Sequence, residues 1–256
     1  MSNLFWLTDE QMERLKPFFP KSHGKPRVDD RRVLSGIIFI NRNGLRWCDA
    51  PREYGPAKTL YNRWKRWGDM GVFARMMEGL ASEGGEERVV MIDATYLKAH
   101  RTASSLRAEK GGLPDQRGRL IGRTKGGLNT KLHAVTDAKG RPIRFFMTAG
   151  QVSDYTGAAA LLGSLPTAEW LIADRGYDAD WFRDALKDKR IRPCIPGRKS
   201  RGKAVRYDKR RYKRRNRIEI MFGRLKDWRR IATRYDRCAT TFLSAVALAA
   251  TVIFWL

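Results

Sequence analysis

Four residues near the end of the chain have the types and the spacing of a site that could bind ions or anionic groups. The set, at offsets of 3, 7 and 14 residues from its first member, is Tyr212, Arg215, Glu219 and Lys226. Because a helix turns by roughly 100° per residue, these side chains would lie within about 60° of one another. One helix would thus present a single carboxylate among cations. Ordinary i,i+4 pairing of Glu219 with Arg215 explains this segment equally well when it is taken alone.

Two aspartates lie where apolar runs of strand character end. Asp93 follows Val-Val-Met-Ile, and Asp174 follows Trp-Leu-Ile-Ala. Ligands and catalytic groups gather at the carboxyl ends of strands in open sheets. Each residue could instead be a turn or cap residue, and Asp174, which precedes Arg-Gly, fits that description. Singly, neither aspartate identifies a site.

Helical patterns fill residues 1–85. A capping box of Thr8 and Gln11 opens one helix, and Gly44 closes another. The segment 58–67 mixes basic with aromatic residues, which is typical of a recognition helix in a helix-turn-helix-like module. An amphipathic helix whose tryptophans belong to the core would have the same pattern. The candidate DNA contacts on this helix are Lys58, Arg63, Lys65 and Arg66.

A Gly- and Glu-rich linker at 82–87 separates this part from a second pattern, so we predict two domains, 1–85 and 86–256. After the linker, strand and helix patterns alternate. Strands are predicted at 88–100, 130–136, 142–148, 170–173 and 192–195, and helices at 154–165, at 178–189, around Glu219 and at the C-terminus. Residues 107–127, rich in Gly, Arg and Lys, are predicted to form a mobile basic loop. The order predicts an α/β fold, with a mixed sheet flanked by helices and preceded by a small all-α domain.

The charge of the chain points to a polyanionic partner. There are 52 Lys and Arg against 27 Asp and Glu, a formal net charge of +25. Between Arg198 and Arg217, twelve of twenty residues are basic and only Asp208 opposes them. Such a block favours nucleic acid, although a solvated loop would have the same composition. The candidate contacts at its start are Arg198, Lys199, Arg201 and Lys203.

Cysteine usage and hydropathy exclude other classes of protein. The three cysteines form no CxxC pair, so neither a zinc ribbon nor a disulfide framework is expected. No secretory signal is predicted at the start of the chain. The uncharged segment 240–256 is at the lower limit for a membrane span, and its many alanines favour a buried helix. We therefore expect no membrane partner.

Taken together, Asp93, Asp174 and Glu219 resemble the acidic triad of RNase H-like DDE transposases. The segment 212–226 resembles the Y-R-E-K signature of bacterial insertion-sequence transposases residue for residue. The stretches AVTDAKGRPIRFFMTAGQVSD and LIADRGYDAD are similar to the insertion sequence five group in particular. The resemblance covers nearly the whole chain, and the N-terminal part is similar to the DNA-binding module of that group.

The resemblance implies a site and a reaction. Asp93, Asp174 and Glu219 would be the catalytic residues and the ligands of two Mg²⁺ ions, for which Mn²⁺ could substitute. Hard cations prefer such oxygen ligands, and two of them about 3.5–4 Å apart can activate water and stabilise a leaving oxygen. Arg215 and Lys226 would bind DNA phosphates, and Tyr212 would position the DNA.

The implied function is that of a DNA transposase. It would cleave the ends of its element by phosphodiester hydrolysis and join the freed 3′-OH to target DNA. The partners would be double-stranded DNA, as terminal inverted repeats and target, and further copies of the chain in a homodimer or higher oligomer. The protein would act in the bacterial cytoplasm on the nucleoid. The alternatives are a non-catalytic DNA-binding or repressor protein on the same fold, a Mg²⁺-dependent nuclease, and a recombinase that uses Tyr212 as a covalent nucleophile.

Overall fold

The computed structural model describes residues 4–21, 29–84, 88–105 and 117–256. Within them, helices surround one mixed sheet. The helices are α1 (Asp9–Leu15), α2 (Asp30–Asn43), α3 (Ala57–Asp69), α4 (Val72–Ser82), α5 (Arg101–Ser104), α6 (Asp154–Leu162), α7 (Asp180–Asp188), α8 (Lys209–Tyr212), α9 (Asn216–Lys226), α10 (Arg229–Ala232) and α11 (Ala239–Ala250). The strands are β1 (Val89–Ala99), β2 (Gly122–Thr124), β3 (Gly127–Thr136), β4 (Pro142–Ala149), β5 (Trp170–Ile172), β6 (Arg192–Cys194) and β7 (Thr233–Arg234).

Local signals in the sequence set the ends of the first helices. The Thr8 side chain accepts from the Gln11 N–H, and the Gln11 side chain accepts from the Thr8 N–H, which completes the predicted capping box of α1. The Asp29 carboxylate accepts the first free N–H groups of α2. Gly44 ends α2 with a φ of 69°, in the left-handed region that favours glycine.

The sheet is mixed, as predicted. Within the described residues its order is β2-β3-β1-β5-β6, with β4 also paired to β3 and β7 also paired to β1. The β1–β3 pair is antiparallel, whereas β1 pairs in parallel with β5, and β5 in parallel with β6. The central strand β1 therefore joins the antiparallel half of the sheet to the parallel half.

Two short strands were not predicted. β2 lies in the segment 107–127, for which the prediction was a loop; residues 107–116 of that segment lie outside the described residues. β7 pairs with the end of β1 and is held by the buried Arg234, whose guanidinium donates to the Thr130 hydroxyl at 2.6 Å. Strands of two or three residues that depend on such distant contacts carry little local signal.

Each face of the sheet has its own hydrophobic core. The smaller core packs α6 and α7 against one face of β1 and includes Ile92 and Phe182. The larger core packs α9 and α11 on the other face and extends through α1–α4. Trp64 and Trp67 of α3 are buried in it, so these tryptophans are core residues. The boundary between residues 85 and 86 stays a prediction, and the larger core continues across it.

The C-terminal apolar segment is buried, as predicted. α11 and the π-helical turn Thr251–Trp255 pack in the larger core. Among the described residues, no helix combines the length and apolar character that crossing a membrane requires.

Candidate active site

The site lies at a gap along one edge of β1. On that edge β1 pairs with β5 as far as Met91, and pairing resumes with β7 only at Lys98. Asp93 and Thr95 lie within the gap, where no strand of the described residues pairs with β1 on that side. The opposite edge of β1 pairs with β3 from Met91 to Lys98, and Asp93 is directly opposite Ala134. The gap thus opens the centre of the sheet beside a carboxylate.

Asp174 lies level with Asp93 on the neighbouring element. β1 and β5 are in parallel register, with Met91 opposite Ile172, and the same register continued by two residues aligns the two aspartates. Asp174 then caps a 3₁₀ turn, Arg175–Tyr177, where its Oδ1 accepts the Gly176 N–H at 2.8 Å. Asp174 is therefore a cap residue, as the alternative interpretation of the sequence had it. The cap places its carboxyl group at the end of β5.

Glu219 comes to the site on α9, and Arg215 links it to Asp93. The Arg215 guanidinium donates from Nη1 to Asp93 Oδ2 at 2.6 Å and from Nη2 to Glu219 Oε1. Glu219 is the more open of the two acids, with about half of its side chain exposed (54%), against 14% for Asp93. The i,i+4 pair is thus present, and it belongs to a larger cluster that includes the β1 carboxylate.

The segment from Tyr212 to Lys226 is not one continuous α-helix. The prediction that a single helix presents all four residues of the set is therefore wrong. α8 ends at Tyr212, a 3₁₀ turn covers Lys213–Arg215, and α9 begins at Asn216. Like charges four residues apart in the run 209–215 destabilise α-helical geometry. The Tyr212 ring still lies near Arg215, with 5.9 Å between its centroid and the guanidinium carbon.

Lys226 lies on the same side of β1 as the acids. Its ammonium donates to the Thr95 hydroxyl at 2.8 Å, and Thr95 is two residues beyond Asp93 on the same face of the strand. Burial lowers the pKa of Lys226 from its ordinary value. Among the described residues no carboxylate pairs with this ammonium, so its charge is available to a phosphate.

The electrostatics of the cluster favour a cation. Burial raises the pKa of Asp93 from 3.8 to about 6; Arg215 lowers it, and Asp174 and Glu219 raise it further. The Arg215 guanidinium therefore supplies a positive charge between two of the carboxylates, in the place of a metal cation. A set of carboxylate oxygens is the donor set that hard divalent ions prefer. Among the described residues, no three His, Cys, Asp or Glu side chains are close enough to form a metal cage as they stand. A cation held by Asp93 and Glu219 would replace the guanidinium.

The remaining predicted DNA-binding residues lie outside this cluster, on α3 and at the start of the basic block, and their surroundings differ. On α3, Lys58 and Arg66 are exposed, whereas Lys65 pairs with Asp69 and the Arg63 guanidinium lies over Trp67. The site residue that the sequence did not reveal is Thr95. Its contact with Lys226 joins distant segments, and only its position two residues after Asp93 could have indicated it.

At the start of the basic block, Arg201 pairs with Asp178 and Asp180. The Arg198 guanidinium lies 4.7 Å from the centre of the Tyr155 ring. Lys199 and Lys203 are exposed. The block therefore contains two kinds of cation: some make ion pairs or ring contacts within the chain, and others face solvent.

Comparisons with known proteins identify the family of the chain. Residues 84–254 match the family described as "Transposase DDE domain", and residues 7–77 match "Putative transposase of IS4/5 family". Over 130 residues the chain is 39% identical to the "Putative transposase for insertion sequence element IS6501" of Brucella ovis, covering 50% of this chain and 99% of that protein. It is 27% identical over 198 residues to the corresponding protein for IS402 of Burkholderia cepacia, covering 73% of this chain and 86% of that one.

A solved structure shares the fold. The piggyBac transposase synaptic complex with hairpin DNA matches with a TM-score of 0.53 and 8% identity, covering 97% of this chain and 72% of that chain. The mixed sheet flanked by helices is that of an RNase H-like fold, and the family match makes the chain an enzyme that cleaves and joins DNA strands. The chain belongs to the DDE transposase family. The predicted fold class, the membership of the DDE transposase family and the transposase function are confirmed, whereas the narrower assignment to the insertion sequence five group stays a prediction.

Proposed function

We propose that the chain is the transposase of an insertion sequence element, and that it cleaves the element's ends and joins the freed 3′-OH to target DNA at the cluster of Asp93, Asp174 and Glu219. The observation that supports this site most directly is the Arg215 guanidinium between Asp93 and Glu219. It marks a position where these carboxylates already hold a positive group. The parallel pairing of β1 with β5, which puts Met91 opposite Ile172, supports a position of Asp174 close to Asp93, because each aspartate follows two residues later.

The three carboxylates would hold a pair of divalent cations, Mg²⁺ with Mn²⁺ as a substitute. When bound, such cations activate a water and stabilise the leaving oxygen of a phosphodiester. Arg215, once replaced between the acids, would bind a phosphate near the cleaved bond through its planar fork of N–H groups. Lys226 would hold a backbone phosphate from its position beside Thr95. Tyr212, packed beside Arg215, would position the DNA backbone.

The proposed partner is double-stranded DNA, first the terminal repeats of the element and then the target. The exposed cations of α3 would recognise the ends. The basic block 198–217 would bind phosphates of the DNA strand that leads to α9. Strand transfer with two ends requires two sites, so we propose a homodimer or a higher oligomer on DNA. An enzyme of this kind would work on the bacterial nucleoid in the cytoplasm.

The experiment that tests the proposal is cleavage of labelled element-end DNA by single variants. Asp93→Asn, Asp174→Asn and Glu219→Gln should each abolish cleavage in Mg²⁺ and leave binding to the end measurable. Asp188→Asn, an exposed acid on α7, is the control and should cleave like the wild type. EDTA should stop the reaction, and Mg²⁺ or Mn²⁺ should restore it.

Other outcomes would favour the alternatives. Cleavage at the wild-type rate by Glu219→Gln would refute the assignment of the site. Binding of ends without cleavage by the wild type would indicate a repressor, and cleavage of any DNA without strand joining would indicate a nuclease. A covalent protein–DNA adduct lost in Tyr212→Phe would indicate a tyrosine recombinase.

A further inference from the structure

Part of one face of the sheet forms an open groove that is lined by basic, polar and aromatic side chains. Its volume is about 500 Å³, and it lies where β1, β3 and β2 run side by side. The lining residues are Tyr96, Lys98, Thr124, Lys125, Gly126 and Asn129. Sites for drug-sized ligands have volumes of about 300–1,000 Å³. The groove therefore fits a ligand of the size of a nucleotide rather than a DNA duplex.

The aromatic side chain of the groove is presented to solvent and is held from one side. Tyr96 is 52% exposed. Lys131, directly opposite on β3, has its ammonium 5.1 Å from the centre of the Tyr96 ring. That ammonium is itself fixed, because it donates to the Val152 carbonyl at 2.6 Å and to Asp154 at 3.0 Å. The ring thus has a defined position and an exposed surface on which a planar group can stack.

The two lysines of the groove carry charges that the protein does not balance. Lys98 and Lys125 are exposed, and within the part of the chain that the structure describes neither makes an ion pair. Lys131, by contrast, is buried and paired with Asp154. Basic grooves with exposed aromatic rings are typical of sites for single-stranded nucleic acid, because the cations hold phosphates while bases stack on the rings.

Strand β1 connects the groove to the acids. Asp93 and Tyr96 are three residues apart on this strand, which corresponds to about 10 Å. Because successive side chains alternate, Tyr96 and Lys98 face the side of the sheet opposite to that of Asp93. Between these two sides runs the edge of β1 that no strand of the described residues pairs with from Ile92 to Leu97.

We propose that this groove binds unpaired nucleotides of a DNA strand that passes the acids, with a base stacked on Tyr96 and phosphates held by Lys98 and Lys125. The inference rests on the proposed function, because it takes the acids as the place where DNA is cut. The strand would cross the edge of β1 between the acids and the groove. A base that stacks on Tyr96 cannot remain stacked in a duplex, so the enzyme would separate the strands locally, beside the cleaved phosphate.

The test measures how the full chain, in EDTA, binds a short oligothymidylate and an abasic oligonucleotide with the same number of phosphates. The wild type should bind the first more tightly by roughly 5–100-fold, because a base stacked on an aromatic ring stabilises the complex. Tyr96→Leu should lose most of this preference and bind the abasic probe like the wild type. Tyr96→Phe should keep the preference. The control Trp6→Leu removes another exposed ring (42% exposed) and should change neither affinity.

The double variant Lys98→Gln with Lys125→Gln tests the phosphate contacts. It should bind both probes more weakly and keep the preference for the probe with bases. The slope of log affinity against log salt should fall by about 1.4, because each phosphate contact with a single strand contributes about 0.7. An unchanged slope would overturn the proposal, since the phosphates would then be bound elsewhere. Retention of the full base preference by Tyr96→Leu would overturn it as well.

Photo-crosslinking locates the base directly. An oligothymidylate that carries one 5-iododeoxyuridine should crosslink to Tyr96 of the wild type under ultraviolet light, and mass spectrometry of the peptides identifies the residue. An excess of unlabelled single strand should suppress this crosslink more strongly than a duplex of the same length. Crosslinks at other residues only would overturn the proposal. Equal suppression by the duplex would mean that the groove does not select unpaired DNA, which also overturns it.

Failure of this inference can be told apart from failure of the proposed function. The binding tests are made in EDTA and do not depend on cleavage, whereas Asp93→Asn and Asp174→Asn are tested by cleavage of element ends. If both aspartate variants are inactive and Tyr96→Leu binds the two probes like the wild type, only the groove is wrong. If both aspartate variants cleave normally while Tyr96→Leu loses the base preference, the groove binds unpaired DNA and the assignment of the acids is wrong.

Discussion

At the residue scale, the surroundings of Asp93 disfavour the ionised form of its carboxyl group. Burial raises its pKa from 3.8 to about 6 in spite of the contact with Arg215. Because the folded protein binds this proton more tightly than the unfolded chain, the group stabilises the fold fully below about pH 4. That stability is lost as the pH rises through 6. A shift of about two pKa units corresponds to about 3 kcal/mol.

We therefore expect Asp93→Asn to be more stable than the wild type at neutral pH. Its advantage in the free energy of unfolding should grow from near zero at pH 4 to at most about 3 kcal/mol at pH 7.5. Urea unfolding in EDTA at several pH values measures this difference. The exposed control Asp188→Asn should run parallel to the wild type. A constant difference between Asp93→Asn and the wild type across this range would contradict the prediction.

The residues of the site were predictable to different degrees. Asp93 and Asp174 stand out because an acid directly after an apolar run is costly to bury without a purpose; as predicted, Asp93 lies within β1 and Asp174 follows the apolar run of β5. Glu219 could be placed there only through the resemblance to a family, since helix pairing explains it locally. Thr95 could not be predicted, because its contact with Lys226 joins segments that are distant in the sequence.

At the element scale, α3 combines two roles that its sequence pattern could not separate. Its tryptophans are buried, so the basic-aromatic pattern is partly a core pattern. Lys58 and Arg66 lie exposed eight residues apart and so near the same face of the helix. Lys65 is tied to Asp69 on the same helix. Of the predicted contacts on α3, the structure thereby favours Lys58 and Arg66 as the ones that can face DNA.

We expect the double variant Lys58→Gln with Arg66→Gln to lose roughly tenfold or more in affinity for element-end DNA, because phosphate or base contacts are removed. Its melting temperature should not change, since neither side chain packs in the core. Fluorescence anisotropy with element-end and scrambled DNA measures the effect. Lys65→Gln is the matched control and should change affinity little. An equal loss in Lys65→Gln would restore the broader surface that the sequence predicts.

The basic block 198–217 also divides into two kinds of cation. Asp178 is fully buried and accepts from Arg183, from the Arg198 N–H and from Arg201. Arg201 thus helps to anchor the start of the block to the turn after β5. Lys199 and Lys203 face solvent. Composition alone could not distinguish these roles, because both kinds of residue add the same charge.

We expect Lys199→Gln with Lys203→Gln to weaken binding to all DNA alike and to reduce the slope of log affinity against log salt by about 2, since each lost phosphate contact contributes about 0.9. Arg201→Gln should instead lower the free energy of unfolding by about 1–3 kcal/mol, because a buried carboxylate loses a charged partner. Salt titrations and urea unfolding measure the two effects. An unchanged salt slope in the double lysine variant would show that this face of the block points away from DNA.

At the scale of the whole molecule, the sequence predicted the mixed sheet and the helical N-terminal part but not how the two are joined. Composition changes sharply near residue 85, which suggests independent units. The larger core nevertheless runs from α1–α4 through α9 and α11, and α11 packs against α2, α3 and α4. Polar contacts add to it: Arg144 of β4 pairs with Glu78 of α4 at 2.8 Å, and Arg230 donates to the Leu45 carbonyl at 2.7 Å.

Because this core is shared, we expect the chain to unfold in one cooperative transition, and damage in the N-terminal helices to destabilise the sheet. Trp64 is 1% exposed and its ring lies 4.9 Å from that of Phe73. Trp64→Ala should cost about 3–5 kcal/mol. At about 2–4 °C per kcal/mol for a chain of this size, the melting temperature should fall by roughly 10 °C.

Hydrogen exchange at the amides of β1 and β3 would locate that loss. If the core couples the two parts, protection of these strands, which carry Asp93, should fall together with that of α3. Replacing the exposed Trp6 by Ala is the control and should leave both regions protected. Two calorimetric transitions, or strands that keep their protection while α3 loses it, would mean that residues 1–85 form a separate domain. A single transition would mean that the surface proposed to recognise DNA and the acids proposed to cut it are held by one core, so that α3 cannot move without disturbing the sheet.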